Sequence, residues 1–597
     1  MASLSSDLKK ALLRFAAVAV FFVAAACAFT WPLCIRAADS VAELSDTLLN
    51  TWILAWDWHA ISTGHSFFDA NIFYPATKTL ALSEHLVGLL PFATPVYILS
   101  HNPVLAMNAA LLVSFALCGI AMFYLLRHYT GRDMPSLVGG FIFAFAAPKF
   151  GQAGHIQLLH MEFLPLALLF AERIMAEGRW SDWGWMTALL LWQILCGYYI
   201  GYIAVFIFVI FVTVRLCFIK ANIKDSLLRF AVCAGVICAV MIPLSFPYMQ
   251  RHSAGVVSRQ DTISTSAAPL ASYFTVPIMN VGHNIYSADM GARAADFDWE
   301  KTLFPGWCCM LLALLAVLIV FVKDFLKDED KKKARPVLIA FCAVFAAMYI
   351  LSLGPYLLCD GQPIVLLGHR IMLPYKLLGF CVPGFSSMRV PARFGLGVLF
   401  AFAALAGIAL HLLTKKFSAR ISAITGCAVI LLMGVEYNFT PLPLMAIETG
   451  KNVPPVYGWL ASNGGGKPMI ELPFGYVGNA DIVYNSTRYI YFSTYHWLPL
   501  FNGYSGAFPR SYTATYKLVQ NLPGEEALRA FAAEGGYWLL LHKDNIPAAD
   551  IAAWNSAERG GLVKAEVRME RYVVYSVQPT VPHAAAVSRT GRRARQH

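Results

Sequence analysis

The sequence predicts a polytopic α-helical membrane protein, with about eleven transmembrane helices and a C-terminal extracytoplasmic α/β domain. Three observations predict it. Hydrophobic residues are 58% of the 597 and charged residues 14%, with mean hydropathy +0.58, whereas soluble domains are about 45–50% apolar and about 25% charged. Uncharged apolar runs recur along the first 440 residues; about 20 such residues span a hydrocarbon slab about 30 Å thick, where only helices or closed barrels satisfy the backbone. From Lys451 onward the apolar runs are short and broken by Gly, Pro and Asn, the pattern of strands and turns.

The first run, Ala11 to about Cys34, follows Lys9, Lys10 and Arg14 as a signal peptide's apolar stretch would, but it is too long for one and reads as an uncleaved anchor. Further spans are expected at about 104–126, 134–150, 160–177, 182–198, 200–218, 228–250, 305–323, 336–354, 395–413 and 420–438. With a cytoplasmic N-terminus, the inner loops hold Arg127, Arg132, Arg173, Arg179, Lys220, Lys224, the Lys323–Arg335 cluster, Lys415, Lys416 and Arg420. That distribution satisfies the positive-inside rule. The net charge of +11 is thereby accounted for at span ends and in the tail, and a nucleic-acid partner is not needed.

Three domains are expected: a membrane domain over residues 1–440 with a first outer loop at 35–103, a soluble extracytoplasmic α/β domain at 441–580, and a basic disordered tail at 581–597. In the soluble domain, Met469–Leu472, Tyr489–Phe492, Tyr537–Leu541 and Tyr572–Val577 read as strands and Glu525–Ala533 as a helix. Most of the 13 cysteines fall in or beside spans and act as small apolar groups. Cys359 and Cys381 share an outer loop and form the one candidate bridge.

Chemistry is sought on the outer loops. In the first, Trp52, Trp56 and His59 fall on one helical face, which suits an aromatic helix lying in the membrane interface. Asp46 opens that helix and Asp57 lies within it. A carboxylate just above the hydrocarbon can be desolvated into a general base for a hydroxyl nucleophile; the plainer reading makes Asp46 a helix cap. Glu84 and His85 precede an apolar stretch, where ionisable groups are costly and usually functional. They are candidates for a phosphate-linked substrate, and they admit a divalent metal without specifying one. His155 lies at the outer junction of two spans, where a hydrogen-bonded interface residue is the plainer reading. Arg389 and Arg393, four apart before a span, would share a face and grip a phosphate if the helix began early; snorkelling to headgroups is the alternative. Tyr199, at an outward turn, is a stacking candidate for a sugar or isoprenoid, with interfacial anchoring as the plainer role.

The acidic first outer loop, the interfacial helices and the soluble outer domain after the last span together resemble the GT-C superfamily of membrane glycosyltransferases. The resemblance covers most of residues 1–440. It implies transfer of a sugar from a polyprenyl-phosphate-linked donor to a glycan, lipid or protein acceptor at the outer face, with membrane lipids as further partners. It also implies Asp46 as catalytic base and Arg389 and Arg393 as holders of the donor phosphate. Thr51–Trp56, Ser83-Glu84-His85 and Arg389–Phe394 look like segments of bacterial members, which implies a bacterial cytoplasmic (inner) membrane. The chain departs from the pattern in having one carboxylate, in Ser45-Asp46-Thr47, where an acidic pair is expected, so no cofactor is assigned and a divalent metal stays open. Inverting transfer is the expected chemistry. A lipid-linked sugar transporter or flippase, or a non-catalytic envelope assembly factor, is the alternative. A transporter would place paired ionisable residues deep in its spans.

Overall fold

The computed structural model describes residues 6–218, 223–253, 266–276, 280, 299–322, 328–359, 362–475 and 480–577. The expected disordered tail, 581–597, and the Cys359 side chain of the candidate bridge lie outside the described residues. The chain forms two compact units.

The larger unit runs to Asn452 without Phe68–Thr79. Its helices are α1 (Ser6–Phe29), α2 (Asp46–Thr63), α3 (Leu90–Ser100), α4 (Pro103–Thr130), α5 (Asp133–Phe145), α6 (Phe163–Glu177), α7 (Trp180–Leu195), α8 (Tyr198–Leu216), α9 (Ile223–Ser253), α10 (Trp307–Phe321), α11 (Asp328–Ser352), α12 (Pro374–Cys381), α13 (Gly395–Thr414) and α14 (Ala419–Glu436). Local chemistry sets their ends. Asn102 caps α4 by accepting from the Val104 and Leu105 amides, Pro103 follows as its first residue, and Gly131 ends it at φ 65°, a conformation that favours glycine.

A helix occupies each of the eleven expected spans, yet among the described residues seven stretches are long and apolar enough to cross a membrane. The other four, α5, α6, α7 and α10, have 13, 15, 16 and 15 residues. At about 1.5 Å per residue they fall short of the slab. The chain is a multi-pass membrane protein. α13 is buried nearly throughout and packs on α5, α10 and α11, with Gly139 and Gly407 letting α5 and α13 approach closely. α1, α9 and α14 instead expose large apolar residues such as Leu13, Leu228, Phe246 and Leu431, a surface suited to lipid rather than water.

The tight turn between α4 and α5 lies at one end of the bundle, where Arg14 and Arg127 bond Asp133 and Arg132 donates to the Thr414 and Lys415 carbonyls. The opposite end gathers the segments after α1, between α5 and α6, before α10 and before α13. There β1 (Ser40–Val41) pairs with a strand at Met445–Ala446, so the chain after the last span begins within this unit.

α2 corrects one expectation. Trp52 and Trp56 do share a face, with stacked rings 6.4 Å apart, but every residue from Thr47 to Asp57 is buried. The helix lies within protein, not along an interface.

The smaller unit comprises Val453 onward and takes in Phe68–Thr79 from the first loop. Its four-stranded sheet is built from Met469–Leu472, Trp538–His542, Tyr572–Ser576 and Lys564–Arg568, in that spatial order; the first pair is parallel and the others antiparallel. Ile470 lies opposite Leu539 and Val574 opposite Leu540. The expected helix Glu525–Ala533 forms. Tyr489–Phe492, expected as a strand, is the last turn of a helix, Ala480–Phe492. All four residues are buried, and a fully buried helix end reads as an unbroken apolar run, as a strand does.

Candidate active site

Asp46 is the first residue of α2, and Ser45 before it makes no side-chain cap. The neighbouring Glu43 serves that end instead, its carboxylate bonded by Ser45 and by the Asp46 amide. Burial, then the nearby Asp46 charge, pushes the Glu43 carboxyl up. Against it runs the hairpin between α5 and α6. A Cβ at Gly154 would lie 2.2 Å from Glu43 Oε1, so glycine permits the approach, and Asn50 Nδ2 fastens it by donating to the Gly154 carbonyl at 2.8 Å.

This seating delivers His155. Its Nε2 lies 3.1 Å from Asp46 Oδ2 and 3.4 Å from Glu300 Oε1. Glu300, in the single turn Trp299–Lys301 before α10, receives Arg393 through two parallel bonds, Nε to Oε2 at 2.8 Å and Nη2 to Oε1 at 2.9 Å. The Arg393 guanidinium stacks 4.6 Å from the Tyr199 ring. The Tyr199 hydroxyl accepts from the Val390 amide at 2.7 Å, and its own amide donates to Glu84 Oε1 at 2.8 Å. Gln157 Nε2 donates to the other Glu84 oxygen at 3.2 Å. Six segments far apart in sequence, carrying Asp46, Glu84, His155, Tyr199, Glu300 and Arg393, thus meet at one end of the bundle.

The cluster opens at Asp46, whose side chain is 31% exposed against 16% for His155, 13% for Glu300 and 10% for Arg393. Burial and Arg393 would each lower the His155 pKa, but Glu300 and Asp46 outweigh them and raise it. Burial alone would raise Glu300; the Arg393 and His155 charges overcome it and hold the carboxyl at about 2. Near neutrality, then, Glu300 is ionised, and His155 is shifted towards its imidazolium form.

The remaining sequence candidates support this cluster. Asp57 is buried, which pushes its pKa up, and its Oδ2 accepts from the Leu86 amide at 2.9 Å. Burial lowers His85 to about 4, leaving a neutral ring against Tyr198 and Tyr248, at 5.4 and 6.2 Å. Both residues brace the loop that carries Glu84. Arg389 lies within electrostatic reach of Tyr199. It does not share a helical face with Arg393: Val390 is at φ −117°, ψ 84°, a 3₁₀ turn covers Pro391–Phe394, and α13 begins only at Gly395. A residue before proline avoids the helical region. Sequence reasoning missed Glu43 and Glu300. The one signal for Glu300 was a carboxylate just ahead of a span.

A second polar group lies in the interior. Lys149 is fully buried; its Nζ donates to the Leu159 carbonyl at 2.5 Å and lies 3.6 Å from Cys118 Sγ. Glu162 Oε2 is 3.7 Å from the same sulfur, and its Oε1 is 2.8 Å from His160 Nδ1. Glu172 pairs bidentately with Arg215 at 2.6 and 2.9 Å. These ionisable groups are mutually bonded within the helix bundle.

Among the described residues no three His, Cys, Asp or Glu side chains form a metal-holding set. The His155 ring lies between the Asp46 and Glu300 carboxylates.

No curated protein matches the chain. Among solved structures, the archaeal oligosaccharyltransferase AglB from Archaeoglobus fulgidus, in complex with an inhibitory peptide and a dolichol-phosphate, is similar at 11% identity and TM-score 0.47, over 89% of this chain and 69% of that one. The Archaeoglobus fulgidus oligosaccharyltransferase in the apo form is similar at 12% identity and TM-score 0.43, over the same shares. A family model matches residues 46–436, from Asp46 through Arg393 to the end of α14, and the chain belongs to that family, described as Domain of unknown function (DUF6311).

Proposed function

We propose that this protein is a membrane glycosyltransferase that moves a sugar from a polyprenyl-phosphate donor to a glycan, lipid or protein acceptor at the outer face of a bacterial inner membrane. One observation carries the reading: Asp46, more exposed than Glu300, is backed by His155, Glu300 and Arg393 in one connected array. In the proposed step Asp46 takes the proton of the acceptor hydroxyl as the oxygen attacks the anomeric carbon, with inversion. The His155 N–H holds the carboxylate in place for that proton transfer. Phosphate is a fair leaving group, so positioning and charge neutralisation supply most of the acceleration. Arg393 is engaged by Glu300, so contact with the leaving phosphate is assigned to Arg389, with Arg393 contributing its field from behind.

A lipid-linked sugar transporter is the second reading, favoured by the buried Lys149, Cys118, Glu162 and His160 series. The test reconstitutes the purified full chain with a labelled polyprenyl-phosphate sugar and a mixture of envelope glycans. Removing a general base typically costs about 10²–10⁴-fold, so Asp46→Asn should lose transfer by that factor while expressing normally. Undiminished transfer by Asp46→Asn removes the base. Movement of labelled lipid between leaflets without any transfer selects the transporter.

A further inference from the structure

The segment joining α11 to α13 carries an exposed apolar hairpin that the site chemistry does not use. Val365–Leu366 pairs antiparallel with His369–Arg370 across a turn at Leu367-Gly368. Both turn residues have positive φ, 52° at Leu367 and 80° at Gly368. Such turns favour Asn or Asp followed by Gly, and a leucine there is strained. Yet Leu367 is 92% exposed, with Val365 at 60% and Leu366 at 63%. Beside it, α12 turns Tyr375 inward, where its hydroxyl donates to the Met388 carbonyl at 2.6 Å, and leaves Leu377 and Phe380 exposed at 55% and 76%. In water this cluster would be an aggregation hazard.

Its connections say what covers it. The chain leaves a membrane-spanning stretch at Ser352 and enters the next at Pro391. The base of the hairpin is tied to that end of the bundle by the Leu373 amide on the Pro355 carbonyl at 3.0 Å and the Leu357 amide on Ile371 at 3.1 Å. Around the base, the Arg370 guanidinium and the Lys376 ammonium lie 5.8 and 6.0 Å from the Tyr356 ring. Apolar tips below a girdle of tyrosine and cations match the division of a bilayer into acyl chains and phosphate headgroups.

We infer that this hairpin and the exposed face of α12 are a monotopic anchor, dipping into the leaflet at the end of the bundle that carries Asp46, with Arg370 and Lys376 on anionic lipid phosphates. The inference rests on the membrane-spanning helices alone and not on sugar transfer. It also ties the segment carrying Arg389 and Arg393 to the lipid surface, since Tyr375 packs 6.0 Å from Phe394.

The test places p-benzoylphenylalanine at Leu367, and separately at Phe380, in the full chain reconstituted in nanodiscs of mixed phosphatidylglycerol and phosphatidylcholine. Leu431, 72% exposed on α14, is the lipid-facing control. After irradiation, peptides with Leu367 or Phe380 replaced should carry phospholipid-mass adducts, as the control does. Arg370→Gln with Lys376→Gln should erase a several-fold preference for phosphatidylglycerol in those adducts. Lipid adducts at Leu431 but at neither test position overturn the anchor. A cross-linked dimer through Leu367 overturns it in favour of a second copy of the chain.

Discussion

The Glu300–Arg393 pair holds the site's halves together, and its contribution can be worked from the structure. Glu300 is held at about 2 against an ordinary 4.5. At about 1.36 kcal/mol per pH unit, that places about 3 kcal/mol of preferential stabilisation on the ionised form. Most of it comes from a bidentate guanidinium whose side chain is 10% exposed, so screening by solvent is small. The sign follows from linkage: a carboxyl depressed in the folded state contributes stability that is fully present above its unfolded value, near 4.5, and is lost as pH falls towards 2. A cycle of Glu300→Gln, Arg393→Gln and the double variant isolates the pair. The readout is unfolding in mixed micelles of rising dodecyl sulfate fraction, followed by tryptophan fluorescence. A coupling energy of about 3 kcal/mol is expected at pH 7, with either single variant more damaging than the double because each leaves a buried charge unpaired. The coupling should decline between pH 4.5 and pH 2. A coupling below about 1 kcal/mol at pH 7, or one that does not change across that window, refutes the assignment of Glu300 as an ionised partner.

Two further outcomes follow from the packing around His155. Gly154→Ala puts a Cβ 2.2 Å from Glu43 Oε1 and 2.8 Å from its Cδ; because Glu43 is bonded to Ser45 and the Asp46 amide, the hairpin must lift, and transfer should fall by about 10²-fold, the usual penalty for a misplacement of about 1 Å. Normal transfer together with unchanged amide exchange over residues 43–50 would show that the fit is loose. Lys149→Met removes the ammonium's bond to the Leu159 carbonyl, which keeps the Met161 amide and the Cys118 thiol as donors, an expected loss of about 1–3 kcal/mol; an unfolding midpoint equal to wild type in the same micelles would count against a structural role for the ammonium.

How far the sequence carried these conclusions differs by element. Helices arose wherever hydropathy placed a span, because in lipid a long apolar run has few alternatives. The lengths of α5, α6, α7 and α10 were less legible: apolarity does not separate a helix buried among helices from one that crosses lipid. The face shared by Trp52 and Trp56 follows from the 3.6-residue period, but what covers it depends on tertiary contacts that period does not encode. Asp46 and Arg393 were legible as a charge in an acidic loop and a charge before a span. Glu300 was not, because its meaning lies in a partner 93 residues away. The pairing of Arg389 with Arg393 was misjudged locally, where Pro391 decides the backbone.

Solvation divides the work between the two arginines. Arg393 has been taken out of water, and Glu300 and the Tyr199 face offset that loss. If its fork turned to an incoming phosphate, Glu300 would stay buried without its bidentate guanidinium, forfeiting most of the roughly 3 kcal/mol that its depressed pKa represents. A phosphate at the open side of the cluster therefore gains little by drawing Arg393 away from Glu300. The inner pair, Glu300 and Arg393, cancel in charge, so that pair neither repels an anionic donor nor binds it strongly. On the proposed reading, selectivity for a phosphate-bearing lipid rests on the Arg389 guanidinium and on the lipid surface itself, while His155, held by Glu300, keeps Asp46 oriented for its proton. That arrangement suits a site in which positioning outweighs acid catalysis, as transfer with a phosphate leaving group requires.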